Sequence, residues 1–266
     1  MFLFLLKIVK YIIIEKNFNG GDLVNSEQLS PRLDQVARYV EEYAERPIRL
    51  ADIGSDHAYL PCHLGINGQL EFAIAGEVVK GPYETAVREV SGRLLDHLIE
   101  VRLGDGLDVV SIEDHINTVT ICGMGGTLIK NILDGGHEKL AAGAVLILQA
   151  NLAEAQLRNW LVRHNYEIKM ENIVEDNNRL YEIIVAQHNP NIQQILSPKQ
   201  TMFGPINLRN RTDLFERKWT GELANSQRLL KEVQSGLQDD THPKVIELQR
   251  TIQLIKEELN GHARRN

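Results

Sequence analysis

Short apolar runs alternate with stretches of helical period along the first two-thirds of this 266-residue chain. In residues 29–44, Leu33, Val36, Val40 and Tyr43 recur at steps of three and four. Ser30 stands where an N-cap belongs and Pro31 at the first helical position, so the segment reads as an amphipathic helix. Beyond it, residues 48–53, 72–77, 99–103, 118–122 and 145–149 are apolar runs of strand length separated by helical patterns. That rhythm predicts a parallel sheet in a doubly wound α/β domain. It breaks at residues 166–174 and 180–187, two strand-like runs joined by the short polar turn 175–179, which predict an antiparallel hairpin.

After His188 the pattern loses its period in a stretch rich in Pro and Gln, and a boundary is expected there. Farther on, Leu223, Leu230, Val233 and Leu237 repeat at heptad-like spacing, as do Val245, Leu248, Ile252, Ile255 and Leu259. Two such segments joined by a polar loop predict a hairpin of helices with facing seams. The chain thus divides into a leader (1–25), an α/β domain (26–188), a linker (189–207) and a helical hairpin (208–266). The apolar start of the leader, residues 1–14, is too short for a bilayer, which takes about 20 apolar residues, and Lys7 and Lys10 sit inside the apolar run rather than before it. It reads as a poorly ordered extension, not as a signal peptide or an anchor.

Composition adds two constraints. Hydrophobic residues make up 43% and charged residues 24% of the chain, which excludes collagenous and disordered classes. Its two cysteines, Cys62 and Cys122, are too few for a disulfide scaffold or a four-cysteine zinc site, and no paired metal-ligand motif occurs; reduced thiols in a cytoplasmic protein are expected, with no metal. The net charge of −7 conceals a difference in sign: from Pro190 onward 12 basic and 9 acidic residues leave +3, and the remainder carries −10.

The strongest chemical signal is the run 49–61, RLADIGSDHAYLP. A strand ends in Asp52, the chain turns at Gly54, and a helix is expected to start near Asp56 to Ala58, at the carboxyl end of the first strand, where open α/β sheets bind ligands. The dinucleotide fingerprint G-x-G-x-x-G is absent, and an acid at Asp56 would repel pyrophosphate. A nucleoside carrying positive charge fits better, and S-adenosylmethionine is such a ligand. Asp52 would face its ammonium, Glu77 at the end of the second strand its ribose hydroxyls, and Asp105, in Gly104-Asp105-Gly106 after the third strand, its adenine. Each acid taken singly is equally a loop or strand-end residue, Asp56 equally a helix cap; their joint position favours a site. The fourth strand runs into Cys122-Gly123-Met124-Gly125-Gly126, without the Asn/Asp-Pro-Pro-aromatic pattern of amino-nitrogen methylases.

The runs DIGSDHAYLP, GEVVKGPYETA, RLGDGL, ICGMGG, LQANLAEAQLRNWL and LYEIIVA together resemble the bacterial TrmK family, which methylates N1 of adenine 22 in tRNA. Ala150 stands where the family pattern has Pro, and the leader lies outside the resemblance. The resemblance implies a class I methyltransferase (Rossmann-like) seven-stranded sheet followed by a coiled-coil-like helical hairpin, with S-adenosylmethionine as donor and tRNA as substrate. The donor would then be held by Asp52, Gly54, Asp56, Glu77, Asp105, Gly106 and Gly123. Adenine N1 carries its own lone pair, so the chemistry asks for orientation and for an acceptor near the amino group rather than a strong base. Asp56 or the Cys122 and Gly123 carbonyls are candidates for that acceptor, with His57 and Tyr59 positioning the base. For RNA, Arg209, Arg211, Arg217 and Lys218 form the densest basic cluster, joined by Arg32 from the first helix, and a monomer is expected. Two rival readings stay open: a noncatalytic RNA- or partner-binding protein with a relic donor pocket, and a dinucleotide oxidoreductase, against which the missing glycines speak. The alternative to the RNA role is that the hairpin seam serves dimerisation and its charges are a solvated face.

Overall fold

A computed structural model describes residues 25–263, apart from 238 and 240. The leader therefore lies, save for Asn25, outside the described residues. Five strands form the parallel part of one sheet: β1 (Ile48–Ile53), β2 (Leu70–Glu77), β3 (Ile99–Leu103), β4 (Thr118–Met124) and β5 (Val145–Ala150). Two more, β6 (Tyr166–Asp176) and β7 (Arg179–His188), complete it in the order β3-β2-β1-β4-β5-β7-β6, with β7 antiparallel to β5 and β6 antiparallel to β7. The turn between β6 and β7 is tighter than the five residues expected. Asp176 pairs with Arg179, and Asn177 and Asn178 both take positive φ, the geometry of a two-residue primed turn that matches strand twist.

Alternation along each strand sends side chains to two covered faces. Leu50, Ala73, Ala75, Val145 and Ile147 meet α1 (Pro31–Tyr43), α2 (Tyr59–Ile66) and α3 (Lys80–Gly92) on one side. Ala51, Ile74, Val119, Ile121, Leu146 and Leu148 meet α4 (Gly126–Asp134) and α5 (Glu154–Arg163) on the other. Ser30 caps α1 by accepting from the Leu33 amide, and Pro31 follows as its first residue. Asp56 does not cap α2. The helix begins three residues later, after Ala58, with no side-chain cap, because Asp56, His57 and Ala58 all lie in the left-handed region.

The segment 189–207 is not a plain tether. It contains α6 (Pro198–Phe203) and leads into α7 (Pro205–Asn210), each opened by a proline; Ser197 caps α6 in a reciprocal box with Gln200. Phe203 is fully buried and packs with Ile173 of β6, with Phe215 and Trp219 of α8 (Asp213–Leu237), and with Ile255 of α9 (Pro243–Ala263). Val245, Ile252 and Ile255 are the buried side chains of the α9 seam. The helical hairpin is thus seated on β6 by a small apolar core of its own.

Candidate functional site

Strands β2, β1 and β4 are neighbours in the sheet, and their carboxyl ends bring Glu77, Asp52 and Gly123 into one region. Gly54 and Ser55 donate backbone N–H bonds to the Gly76 carbonyl, at 2.9 and 3.3 Å, and the Asp56 amide donates to Glu77 Oε1 at 2.6 Å. These bonds fold the loop 54–58 over the end of β2. Gly54 has φ +69°, the left-handed region that favours glycine, and a Cβ there would also push aside the tip of the Met124 side chain, whose Cε would lie 2.1 Å away.

Asp52 is 4% exposed and accepts from Ser55 Oγ at 2.5 Å and Thr120 Oγ1 at 2.6 Å. Glu77 is 6% exposed. Neither carboxylate has an ion-pair partner among the described residues. Burial is the main reason both titrate high, Asp52 at about 6 and Glu77 at about 7, with neighbouring acids adding to it. Asp56 is an exposed carboxylate 3.3 Å from His57 Nε2. The His57 and Tyr59 rings lie 5.3 Å apart, tilted by 33°, and His57 Nδ1 is buried without a hydrogen-bond partner among the described residues. Asp105 is exposed at the end of β3, and Gly106 is buried as the first residue of a short turn of 3-10 helix.

The pairing of β4 with β5 is interrupted between Ile121 and Met124. At this irregularity Gly123 takes φ +76° and its amide donates to Gln149 Oε1 at 2.9 Å. The same oxygen accepts from Arg32 at 2.5 Å, while Gln149 Nε2 donates to Asn151 Oδ1 at 2.9 Å and Asn151 Nδ2 to the Gly123 carbonyl at 2.8 Å. The Gly123 carbonyl, one candidate acceptor for the substrate amino group, already accepts a bond from Asn151. Gln149 and Asn151 lie in the run LQANLAEAQLRNWL but, like Thr120, were assigned no role at the site. One signal was available: a glutamine inside the apolar run VLILQA must be buried, and buried amides need partners.

The basic cluster expected for RNA is divided. Lys218 is largely buried between Glu154 and Glu182, and Arg211 pairs with Glu216 and with Glu258 of α9. These two hold the hairpin in place, since distant acids of the chain neutralise them. Arg217 is exposed but bidentate on Glu175, at 2.6 and 2.8 Å, and Arg209 is exposed. Arg32 is half-buried near the end of β5 and lies over the Tyr181 ring at 5.2 Å. No group of three or more potential metal ligands occurs among the described residues, nor any helix long and apolar enough to cross a membrane.

Residues 50–257 match the family model for TrmK, tRNA (adenine(22)-N(1))-methyltransferase. The chain belongs to this family. The Bacillus subtilis tRNA (adenine(22)-N(1))-methyltransferase is 37% identical over 238 residues, covering 88% of this chain and 98% of that protein. A crystal structure from Streptococcus agalactiae, described as a member of the NADB-Rossmann superfamily, is 42% identical with a TM-score of 0.77, over 87% of this chain and 97% of that one. M. capricolum TrmK, solved with the cofactor product S-adenosylhomocysteine, is 29% identical with a TM-score of 0.74, over 87% and 98%. This TrmK-family chain is an S-adenosylmethionine-dependent tRNA (adenine-N1)-methyltransferase with a Rossmann-like sheet.

Proposed function

We propose that Asp52, Glu77 and the loop 54–58 hold S-adenosylmethionine, and that Asp56, His57 and Tyr59 present adenine N1 of tRNA to it. The observation that carries this reading is the pair of buried carboxylates at adjacent strand ends with no cation of their own. Such groups fit a ligand that brings an ammonium and ribose hydroxyls, and they fit a pyrophosphate poorly. When bound, S-adenosylmethionine supplies a methyl group made electrophilic by its sulfonium.

Asp52 would face the ammonium, Glu77 would accept from the ribose hydroxyls through the oxygen not committed to the Asp56 amide, and Asp105 would lie toward the adenine edge. Methylation at N1 leaves the acceptor adenine cationic. The exposed Asp56 carboxylate, beside the His57 ring, is suited to stabilise that charge at the amino group as it develops. Cationic residues that remain at the surface, Arg209 above all, would contact phosphate, with Arg32 nearer the reacting base. The enzyme would act as a monomer in the cytoplasm, with residues 26–188 as the methyltransferase domain and 208–266 as the tRNA-binding hairpin.

Incubation with radiolabelled donor and bulk bacterial tRNA, followed by nucleoside analysis, tests the reading. Label in 1-methyladenosine is expected, and its loss in tRNA whose adenine 22 is replaced. Donor binding with no transfer to any tRNA would instead leave a noncatalytic RNA-binding protein.

A further inference from the structure

A cleft of about 580 Å³ opens between the loop 151–154 after β5, residues 178–181 of the β6–β7 hairpin and the 217–225 stretch of α8. None of the donor-site acids lines it. We propose that the acceptor nucleoside leaves its stack and enters through this cleft as an unpaired purine, held between Tyr181 and α8 while its pairing edge reaches out of the cleft toward Asp56, His57 and Tyr59; the proposal rests on the functional reading above. Methylation at N1 attacks the pairing edge of adenine, so the base has to be extracted from any pair it makes, and enzymes that do this need a pocket for it. The volume lies in the range of about 300–1,000 Å³ typical of small-molecule sites.

Two contacts connect the cleft to the reacting end of the sheet, and two side chains shape its walls. Asn151, on its wall, donates to the Gly123 carbonyl at 2.8 Å, so one residue is shared between the cleft and the irregular end of β4. Tyr181, on the hairpin wall, is held by Arg32, whose guanidinium lies over the ring and bonds Gln149, the partner of the Gly123 amide. An aromatic ring fixed in this way is a stacking platform, and base-aromatic stacking favours any base irrespective of its edge. Trp219, 93% buried on the α8 side, has an indole Nε1 with no hydrogen-bond partner among the described residues. Leu152, exposed on the same wall as Asn151, supplies an apolar surface for a flat ring.

The test uses the full chain and tRNA carrying 8-azidoadenosine at position 22. Photolysis is expected to label peptides 151–154, 178–181 or 217–225; label confined to other peptides overturns the proposal. In parallel, Tyr181→Ala and Asn225→Trp, the latter filling the cleft from an exposed position on α8, are expected to lower the single-turnover methylation rate at least tenfold. Calorimetric affinity for S-adenosylmethionine should stay within twofold, and Tyr181→Phe should recover most of the lost rate. Wild-type rates in both variants would remove the cleft from the reaction while 1-methyladenosine formation by the wild type still supports the enzymatic reading. Failure of the wild type to methylate removes both.

Discussion

Among the buried carboxylates of the described residues, two groups are treated in opposite ways. At the ends of β1 and β2, Asp52 and Glu77 receive hydroxyl and amide donors but no cation, and burial drives both upward. At the junction of α5, β6, β7 and α8, Arg158 is fully buried and pairs with Glu171 at 2.6 Å and with Glu182, which also meets Lys218 at 2.5 Å. The titration follows the number of cations. Glu171, with Arg158 alone, is still raised by burial, whereas Glu182 is held below its ordinary value because Arg158 and Lys218 together outweigh desolvation. On the proposed reading the acids left without a counter-ion are kept for a ligand, whereas those matched within the chain make a joint. The difference also explains why cations that looked available to RNA are not all free.

The largest effect should come from breaking the joint. Arg158→Met leaves two carboxylates buried without their shared partner and should cost about 3–5 kcal/mol of stability, read by urea denaturation. Adding Glu182→Gln and Glu171→Gln should return part of that loss. If Arg158→Met unfolds at the wild-type midpoint, the buried network is not structural. On the ligand side, Asp56→Ala should slow single-turnover methylation by about 10²-fold with little change in donor affinity. Parallel loss of rate and donor binding would make Asp56 a donor residue instead.

Asp52→Ala and Glu77→Ala should each weaken donor binding by about 1.5–3 kcal/mol in calorimetry, as expected for a lost charged hydrogen bond. In contrast to the joint, the donor-free fold should lose only the acceptor of the Ser55 and Thr120 hydroxyls or of the Asp56 amide, a cost of about 1–3 kcal/mol offset in part by removing a buried charge. The smallest effect is one of pH. Both acids titrate higher in the folded chain than their ordinary values, so their neutral forms favour folding. That contribution is full below about pH 4 and is lost as the pH rises through about 6 for Asp52 and about 7 for Glu77. The melting temperature of the donor-free protein should therefore decline over this interval while donor affinity rises, and Glu77→Gln should flatten the upper part of both curves. A wild-type slope retained in Glu77→Gln would place the titrating group elsewhere.

The sheet was legible because β1, β2, β4 and β5 are largely buried and rich in apolar residues, so that Asp52 and Glu77 stand out as acids at the carboxyl ends of two of them. Asp52 and Glu77 could be found for that reason. The network around Gly123 could not be located by motif, since its geometry depends on an irregular pairing of β4 with β5 that no periodicity records. Helices α6 and α7 were missed because six residues make less than two turns, too few for an amphipathic period. Lys218 and Arg211 resembled surface cations because their partners, Glu154, Glu182 and Glu258, lie 36 to 64 residues away in the chain.

Gly204 joins α6 to α7 at φ +86°, and an added Cβ would stand 2.5 to 2.7 Å from the carboxylate of Glu171 and the guanidinium of Arg158. The backbone is thus pressed directly onto the buried ion network, with no side chain between them to act as a bearing. Helix α8, which follows, is 25 residues long and, at 1.5 Å per residue, extends roughly 37 Å. A rod of that length clamped at its root works as a caliper rather than a flail: its exposed face is held at a set distance from the strand ends.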